Sequence, residues 1–197
     1  YIMKSHQAKD KILDAAKTLF YKDGIHATGI NTITDQAGVA KMSLYNNFPS
    51  KADLVEAYIE SRNIEWQALY AIRLATAHTP LDKILAVFDA YRDHAESAVD
   101  NGFRGCGMLN AAAEFPAHSP ERDAVKLLKE GIEQLLIEHL SELFSDSAQI
   151  QYIATMLSFL LECSIARAGL ECSSDKLILV RKMAEDLIQT QLQLTAK

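Results

Sequence analysis

Cysteine, proline and glycine are scarce in this chain, with three, four and eight residues among 197. The cysteines, Cys106, Cys163 and Cys172, are odd in number, form no Cys-x-x-Cys pair and have no histidine at a zinc-finger interval. The sequence therefore predicts neither a disulfide framework nor a metal site, and we expect no cofactor. Residues 1–5 lack the apolar core of a secretory signal, and the longest charge-free stretch, residues 147–161, contains several polar residues. We interpret the chain as cytoplasmic.

Strand signals are also scarce. Period-two alternation and clusters of β-branched residues are few, whereas apolar residues recur at spacings of three and four along the whole chain. This pattern predicts an all-α fold of about nine helices. Their expected spans are residues 7–23, 29–37, 41–47, 50–75, 80–99, 106–115, 119–144, 147–169 and 174–194.

Capping signatures separate several of these helices. Gly24 supplies a left-handed stop after the first helix, and the apolar residue after it favours the same ending. Ser50 with Asp53, and Thr79 with Asp82, form capping-box pairs that open two of the longer helices.

The net charge of −6 hides a gradient along the chain. Residues 1–51 hold seven lysines and four aspartates, a net of +3, so the remainder carries −9. Because the chain as a whole is acidic, it is not a protein that binds polyanions nonspecifically along its entire length. The positive N-terminal segment, however, is suited to phosphate binding. We expect an N-terminal domain of residues 1–57 and a larger helical domain of residues 58–197, joined within the long helix near Tyr58.

Two short helices around Gly38 form the layout of a helix-turn-helix. In the second one, Leu44 and Phe48 are apolar and four residues apart, so both must face inward. This turns four polar residues outward: Lys41, Ser43, Tyr45 and Asn46.

The outward residues have the chemistry of a DNA-reading surface. Lysine can bind phosphate or guanine, asparagine can pair with adenine, and the two hydroxyls can reach phosphate oxygens. Lys51 adds a cation at a helix N-terminus, where free amides already attract phosphate. The alternative is that these are solvated polar positions on a small helical hairpin.

The segment from Gly24 to Leu54 resembles the helix-turn-helix signature of TetR-type transcriptional regulators. The resemblance rests on Ala37-Gly38-Val39, Ser43-Leu44-Tyr45 and Phe48-Pro49-Ser50-Lys51, in order and spacing. It covers the first quarter of the chain closely, and the rest agrees in length and helix order. Met42 and Asn47 stand where the family often has glycine and histidine, so base preference does not transfer.

The resemblance implies roles for individual residues. Thr28 and Asn31 would lie against the DNA backbone or a base at the start of the first short helix. Lys41, Ser43 and Asn46 would face the major groove, and Tyr45 and Lys51 would hold phosphates. The family also implies a ligand-responsive regulator, usually a repressor, that binds a palindromic operator and is released from it by an effector.

A module of this size makes few base contacts, so we expect a two-fold dimer that reads two half-sites. The helix over residues 147–169 is apolar nearly all round, and such a surface must be buried. We expect it to form an intersubunit four-helix bundle with the stripe Leu177, Val180, Ala184, Leu187, Ile188 and Gln191 of the last helix. The alternative is that both helices close a monomeric core.

A small-molecule effector would bind among large apolar groups with a few polar ones in the C-terminal body. Each candidate taken alone is better explained as plain core, so they are proposed only as a set. The candidates are Trp66, Tyr70, Phe88, Tyr91, Phe103, Cys106, Met108, Asn110, Phe115 and Phe159.

Cys106 suggests an alternative way of sensing. Arg104-Gly105-Cys106-Gly107 places a thiol at a predicted helix N-terminus beside a cation, which favours the reactive thiolate. Similar segments occur in some TetR-type regulators, certain of which sense electrophiles or oxidants through a cysteine. The competing interpretation is a small buried hydrophobic residue.

Two other protein classes fit the sequence less well. An enzyme would need a nucleophile with a base, and the nearest set is Cys106 with Glu114 and His118. No glycine-rich phosphate loop or His-Glu-x-x-His sequence accompanies that set, so we assign no catalytic residue. A purely structural helical bundle would leave the exposed polar group around Tyr45 without a function.

Overall fold

The computed structural model describes residues 2–97 and 102–195, with side chains from residue 7 onward. Within these ranges the secondary structure is entirely helical, which confirms the predicted all-α fold. The helices are α1 (Ile2–Asp23), α2 (Ile30–Ala37), α3 (Lys41–Asn47), α4 (Lys51–Leu74), α5 (Pro80–Glu96), α6 (Gly107–Ala113), α7 (Pro120–Leu140), α8 (Ser147–Glu171) and α9 (Asp175–Thr195).

The predicted caps are present. Gly24 has φ of 93°, and its amide donates to the carbonyl of Phe20 at the end of α1. Before α4, the Ser50 amide donates to the Asp53 carboxylate at 2.8 Å, and the Asp53 amide donates to the Ser50 hydroxyl at 3.2 Å. The reciprocal pair of Thr79 and Asp82 opens α5 in the same way.

Some helix ends differ from the sequence prediction. α1 begins at Ile2, five residues earlier than expected. α7 ends at Leu140, because the following residues form a tight turn in which the Leu143 and Phe144 amides both donate to the Leu140 carbonyl. Phe144 is nevertheless buried. Because it continues the apolar spacing of α7, the sequence prediction placed the end of the helix four residues too late. The predicted end of α5 at residue 99 lies outside the described residues.

One compact unit contains Tyr1–Asn63 and Gly107–Lys126. In it α1 packs on α2, α3 and α6, and α2 packs on α3. Its core includes Ile12, Ile33, Leu44, Leu54 and Tyr58, each at most 1% exposed. The three N-terminal helices therefore share one core with the start of α4, as a helix-turn-helix domain requires.

The second compact unit contains Ile64–Cys106 and Leu127–Lys197. Here α9 packs on both α5 and α8. A Cβ atom on Gly169 of α8 would lie within 2.6 Å of backbone atoms of Arg104 and Gly105, so glycine is required for this approach. The segment just before Cys106 is thus held against α8.

The division into units differs from the expected boundary at residue 57/58. It falls between Asn63 and Ile64 within α4, and the N-terminal unit also includes residues 107–126. A local pattern along the sequence could not show that α6 joins the first core, since the contacts that bind it span about ninety positions. The functional assignment of the two sequence domains remains a prediction.

The predicted dimer stripe of α9 needs correction. Leu177, Val180, Ala184 and Ile188 are at most 4% exposed within the single chain, because α9 turns this face towards α5 and α8. The apolar residues that α9 leaves at the surface are on another face: Ile178, Leu179, Met183 and Leu194.

Candidate DNA-binding surface and effector-site residues

The turn between α2 and α3 is formed by backbone geometry. Gly38 adopts the left-handed conformation, with φ of 64°, and its amide donates to Asp35 while the Val39 amide donates to Thr34. Two orphan carbonyls of α2 are thereby paired. The chain then reverses into α3, as the sequence predicts.

α3 divides into the two faces expected from its spacing. Leu44 and Phe48 are buried, with 0% and 3% exposure. Lys41, Tyr45 and Asn46 are exposed, and Ser43 is half-buried. We call Lys41, Ser43, Tyr45 and Asn46 the reading face. Its polar groups can meet base edges and phosphates because the inward pair fixes the rotation of the helix.

Two residues proposed for DNA contact on and before α2 have different environments. Asn31, in the first turn of α2, is exposed. Thr28 is only 3% exposed, and its hydroxyl donates to the Gly24 carbonyl at 2.6 Å. The Thr28 side chain therefore stabilises the turn after α1 instead of presenting a free hydroxyl.

Lys51 is engaged inside the N-terminal unit. Its ammonium Nζ donates to the Ile25 carbonyl at 2.6 Å and lies 6.0 Å from the ring centre of Phe20. Burial lowers the pKa of Lys51, and the charge of Glu114 partly opposes this change. The predicted phosphate anchor thus stabilises the α1–α2 connection in this structure.

Glu114, which follows α6, was missed as a structural determinant of the helix-turn-helix. Its carboxylate accepts hydrogen bonds from the Ile25 and His26 amides, both at 2.7 Å. Burial alone would raise the pKa of Glu114, but these bonds and that of the His26 ring hold it below its ordinary value. Phe115 packs beside the His26 ring, with centroids 5.3 Å apart. α6 and the α1–α2 turn are therefore joined by charge-assisted bonds.

Part of the predicted effector set lies together in the second unit. Trp66 stacks on Tyr70 with ring centroids 5.4 Å apart and an angle of 2°, and its edge meets Tyr91 at 5.9 Å. Phe88 and Phe103 are also buried in that unit.

Four other predicted effector residues are placed differently. Met108, Asn110 and Phe115 belong to the N-terminal compact unit. Phe159 is 68% exposed on α8, so it does not line the interior of a single chain. The sequence showed only that α8 is apolar on all sides, and this pattern cannot identify the face that meets the chain's own core.

Two charged residues beside the aromatic group were not predicted. The Lys129 ammonium donates to Glu162 Oε1 at 2.7 Å and to the Tyr91 hydroxyl at 3.0 Å. The Tyr91 hydroxyl donates to the same Glu162 oxygen at 3.1 Å. The sequence does contain a hint of this group. Lys129 lies four residues after Val125, on the same face of α7, and Val125 is buried. Glu162 is the first charged residue after the uncharged stretch of α8.

The electrostatics of this group reflect its burial. Burial raises the pKa of Tyr91, and the Lys129 charge opposes that rise. Burial alone would lower the pKa of Lys129, but its interactions with Tyr91, Cys106 and Glu162 raise it. The ammonium therefore stays charged at neutral pH.

Cys106 is 8% exposed and directly precedes the first residue of α6. Cys163 and Cys172 are exposed. In the nearest enzyme-like set, Cys106 falls in one compact unit while Glu114 and His118 fall in the other. Among the described residues, no group of three or more histidine, cysteine or acidic side chains could hold a metal ion.

Comparisons with known proteins agree with this architecture. A model of bacterial regulatory proteins of the TetR family matches residues 12–58. An uncharacterized HTH-type transcriptional regulator from the lacX 3′ region of Lactococcus lactis subsp. lactis is 31% identical over 138 residues, which are 68% of this chain and 69% of that protein. The HTH-type transcriptional repressor BdcR of Escherichia coli K12 is 27% identical over 192 residues, or 94% and 91% of the two chains.

Solved structures extend the similarity to the whole chain. A TetR-family transcriptional regulator from Streptomyces coelicolor has 27% sequence identity and a TM-score of 0.80, and the match covers 98% of this chain and 97% of that one. The resemblance seen in the sequence is thereby confirmed. The chain belongs to the TetR family of bacterial regulatory proteins, and it is a helix-turn-helix transcriptional regulator, not an enzyme.

Proposed function

We propose that this regulator is a cytoplasmic homodimeric repressor that binds a palindromic operator and leaves it when a small-molecule effector binds its C-terminal domain. The observation that carries the proposal is the polar reading face of α3, of which Lys41, Tyr45 and Asn46 are exposed on a helix fixed by buried Leu44 and Phe48. DNA contact gives these polar side chains a common function.

The reading face supports a division of labour on DNA. Asn46 can make a paired contact to adenine, and Lys41 can bind guanine or a phosphate. Tyr45, which is 40% exposed, can donate its hydroxyl to a phosphate oxygen. Asn31 adds a polar group near the N-terminus of α2, and Lys51 can reach phosphate only if it leaves the Ile25 carbonyl.

The surface of the last two helices supports the dimer. On α8, Tyr152, Phe159 and Leu170 are 66%, 68% and 82% exposed, and α9 adds its own exposed apolar face. By length and composition α8 could also cross a membrane, but the core helix of a soluble protein can have the same length and composition. Burial against a second copy removes this apolar area from water.

A dimer supplies the geometry that operator recognition needs. Two α3 helices related by a two-fold axis read half-sites about 34–36 Å apart, or a multiple of that spacing. An effector changes operator affinity only if it prefers one arrangement of the two reading faces over the other. Repression is supported by similarity to BdcR, which is named as a repressor and matches over most of its length.

Selection of bound genomic fragments by the full-length protein tests the proposal. The expected result is one or a few palindromic fragments whose binding weakens steeply with salt, because neutralised phosphates release counterions. Lys41→Ala should weaken binding to the selected fragment. The matched control is Lys126→Ala, which removes an exposed lysine of the same unit on α7 and should leave binding unchanged. Failure to enrich any fragment at low salt contradicts the proposal.

Thiol-based sensing through Cys106 is a second candidate for the effector mode. It is supported by the position of Cys106, which directly precedes α6 and lies in the compact unit that also contains Lys129. Peroxide, aldehyde or quinone should release wild type from its operator but not Cys106→Ser. Cys163→Ser, which alters an exposed thiol, serves as the control. Equal responses of wild type and Cys106→Ser exclude this mode.

A further inference from the structure

The group formed by Lys129, Glu162 and Tyr91 is an ion pair inside a helical unit. The Lys129 side chain is 15% exposed, and the Glu162 side chain is 26% exposed. Removing such charges from water is costly, and a buried pair repays that cost only when its remaining donors and acceptors are hydrogen bonded. Here the bonds converge on a single carboxylate oxygen, Glu162 Oε1.

Among the described residues, two buried polar atoms lack partners, one on Glu162 itself and one on Trp66, whose ring contacts Tyr91. Glu162 Oε2 and Trp66 Nε1 make no hydrogen bond within the part of the chain that the structure describes. Trp66 is 7% exposed, and its ring contacts both Tyr70 and Tyr91. A buried donor or acceptor without a partner destabilises the folded protein, because its hydrogen bond to water is lost and not replaced. Native proteins rarely keep two such atoms in one group unless another molecule pairs with them.

The unpaired atoms indicate which hydrogen-bonding groups a bound molecule would need. Trp66 offers an N–H donor and Glu162 offers an acceptor. The Lys129 ammonium carries three N–H donors, of which the structure assigns two, to Tyr91 and Glu162. A single hydroxyl group can both accept from one of these donors and donate to the carboxylate.

The charges of the ion pair and the surrounding aromatic rings further restrict the class of molecule that could bind here. Lys129 and Glu162 already neutralise each other, so a charged molecule would bring an uncompensated charge into a mostly apolar interior. Trp66, Tyr70 and Tyr91 present aromatic rings, which favour stacked or edge contacts with another ring.

We infer that the effector is a neutral aromatic molecule bearing a hydroxyl group, which donates to Glu162 Oε2 and accepts from Trp66 or Lys129. This assignment rests on the proposed function, because it names the chemical class that the C-terminal domain senses. It also explains why a charged pair is retained in a unit whose core is mostly apolar.

Trp66 is the sole tryptophan of the chain, so its fluorescence reports directly on this group. The probes are para-propylphenol, para-propylanisole and para-propylbenzoate, which share a ring and alkyl chain. The phenol supplies a donor and an acceptor, the anisole only an acceptor, and the benzoate a negative charge. We expect the phenol to bind at least about tenfold more tightly than either of the others, because they leave Glu162 Oε2 unpaired or add charge.

Two variants locate the binding, with calorimetry as the readout. Trp66→Phe removes the indole donor while keeping a ring, and Glu162→Gln removes the acceptor charge while keeping the shape. Each should reduce the preference for the phenol over the anisole, and thermal unfolding confirms that each variant is folded. Because the comparison of probes uses the wild-type protein, it stands even if a variant does not fold.

The outcomes separate this inference from the proposed function. Equal affinities, a preference for the benzoate, or no binding of any probe by a protein that still selects its operator overturns the inference and leaves the proposed function intact. Loss of operator selection contradicts the proposed function. It does not affect the test of the inference, because the preference for the phenol is measured without DNA.

Discussion

The Glu114 carboxylate stabilises the connection that leads into the helix-turn-helix, and its removal tests this directly. It accepts two backbone hydrogen bonds at 2.7 Å, from the amides of Ile25 and His26. Hydrogen bonds to a charged group contribute about 1.5–3 kcal/mol each. The Glu114 side chain is 27% exposed, so the lower end applies to each bond. We therefore expect Glu114→Ala to lower the free energy of unfolding by about 3 kcal/mol.

Two further variants test whether the loss of stability comes from the hydrogen bonds of the Glu114 carboxylate. Glu114→Gln keeps one oxygen acceptor and loses the charge, so it should cost about half as much as the alanine variant. Glu56→Ala removes an exposed carboxylate of α4 in the same unit and should change stability by about 0.5 kcal/mol or less. Urea denaturation measures the free energies, and hydrogen exchange should become faster at the Ile25 and His26 amides in the Glu114 variants.

The pH dependence of this effect has a defined sign. The pKa of Glu114 is lowered from its ordinary 4.5 in the folded protein, so its stabilisation is fully present above that value. It is lost as the pH falls through the lower pKa of the folded state. The stability difference between wild type and Glu114→Gln should therefore be constant near neutral pH and shrink in acid. A Glu114→Ala protein as stable as Glu56→Ala, with unchanged amide exchange, refutes the reasoning.

Other predictions follow from packing. Gly169→Ala should cost about 1–3 kcal/mol in urea denaturation, because its Cβ would overlap the backbone at Gly105. Gly131→Ala should instead stabilise the protein by about 0.5–1 kcal/mol, because a Cβ atom at this position of α7 would have no atom within 4 Å. Equal costs for Gly131→Ala and Gly169→Ala would contradict the explanation of both by Cβ packing. Phe159→Glu should shift the sedimentation of the proposed dimer towards monomer, because it places a charge on the exposed face of α8, and an unchanged dimer would contradict an interface on that face.

The sequence predicts those parts of the fold that depend on local spacing. The faces of α3 follow from residues four apart, and the end of α1 follows from Gly24, because glycine tolerates the left-handed conformation. Each of these signals lies within a few residues, so no knowledge of the tertiary structure is needed. The exposure of Lys41, Tyr45 and Asn46 agrees with the outward positions that this spacing predicts, and their contact with DNA stays a prediction.

Long-range partners account for what the sequence does not predict. Glu114 meets amides 88 and 89 positions away, and Lys129 meets a carboxylate 33 positions away. Periodicity places each charged residue on a helix face but does not identify its partner. Thr28 illustrates the same limit, because a hydroxyl suited to phosphate is instead used by the turn it belongs to.

The most direct test of the central claim is the affinity of Asn46→Ala for the fragment selected by wild type, measured by fluorescence anisotropy at fixed salt. Asn46 is exposed on α3, so its truncation should leave folding unchanged. A lost base contact costs about 1–3 kcal/mol, which predicts binding roughly five- to 150-fold weaker to the operator, with little change on unrelated DNA. Unchanged affinity for the operator would contradict recognition through the reading face.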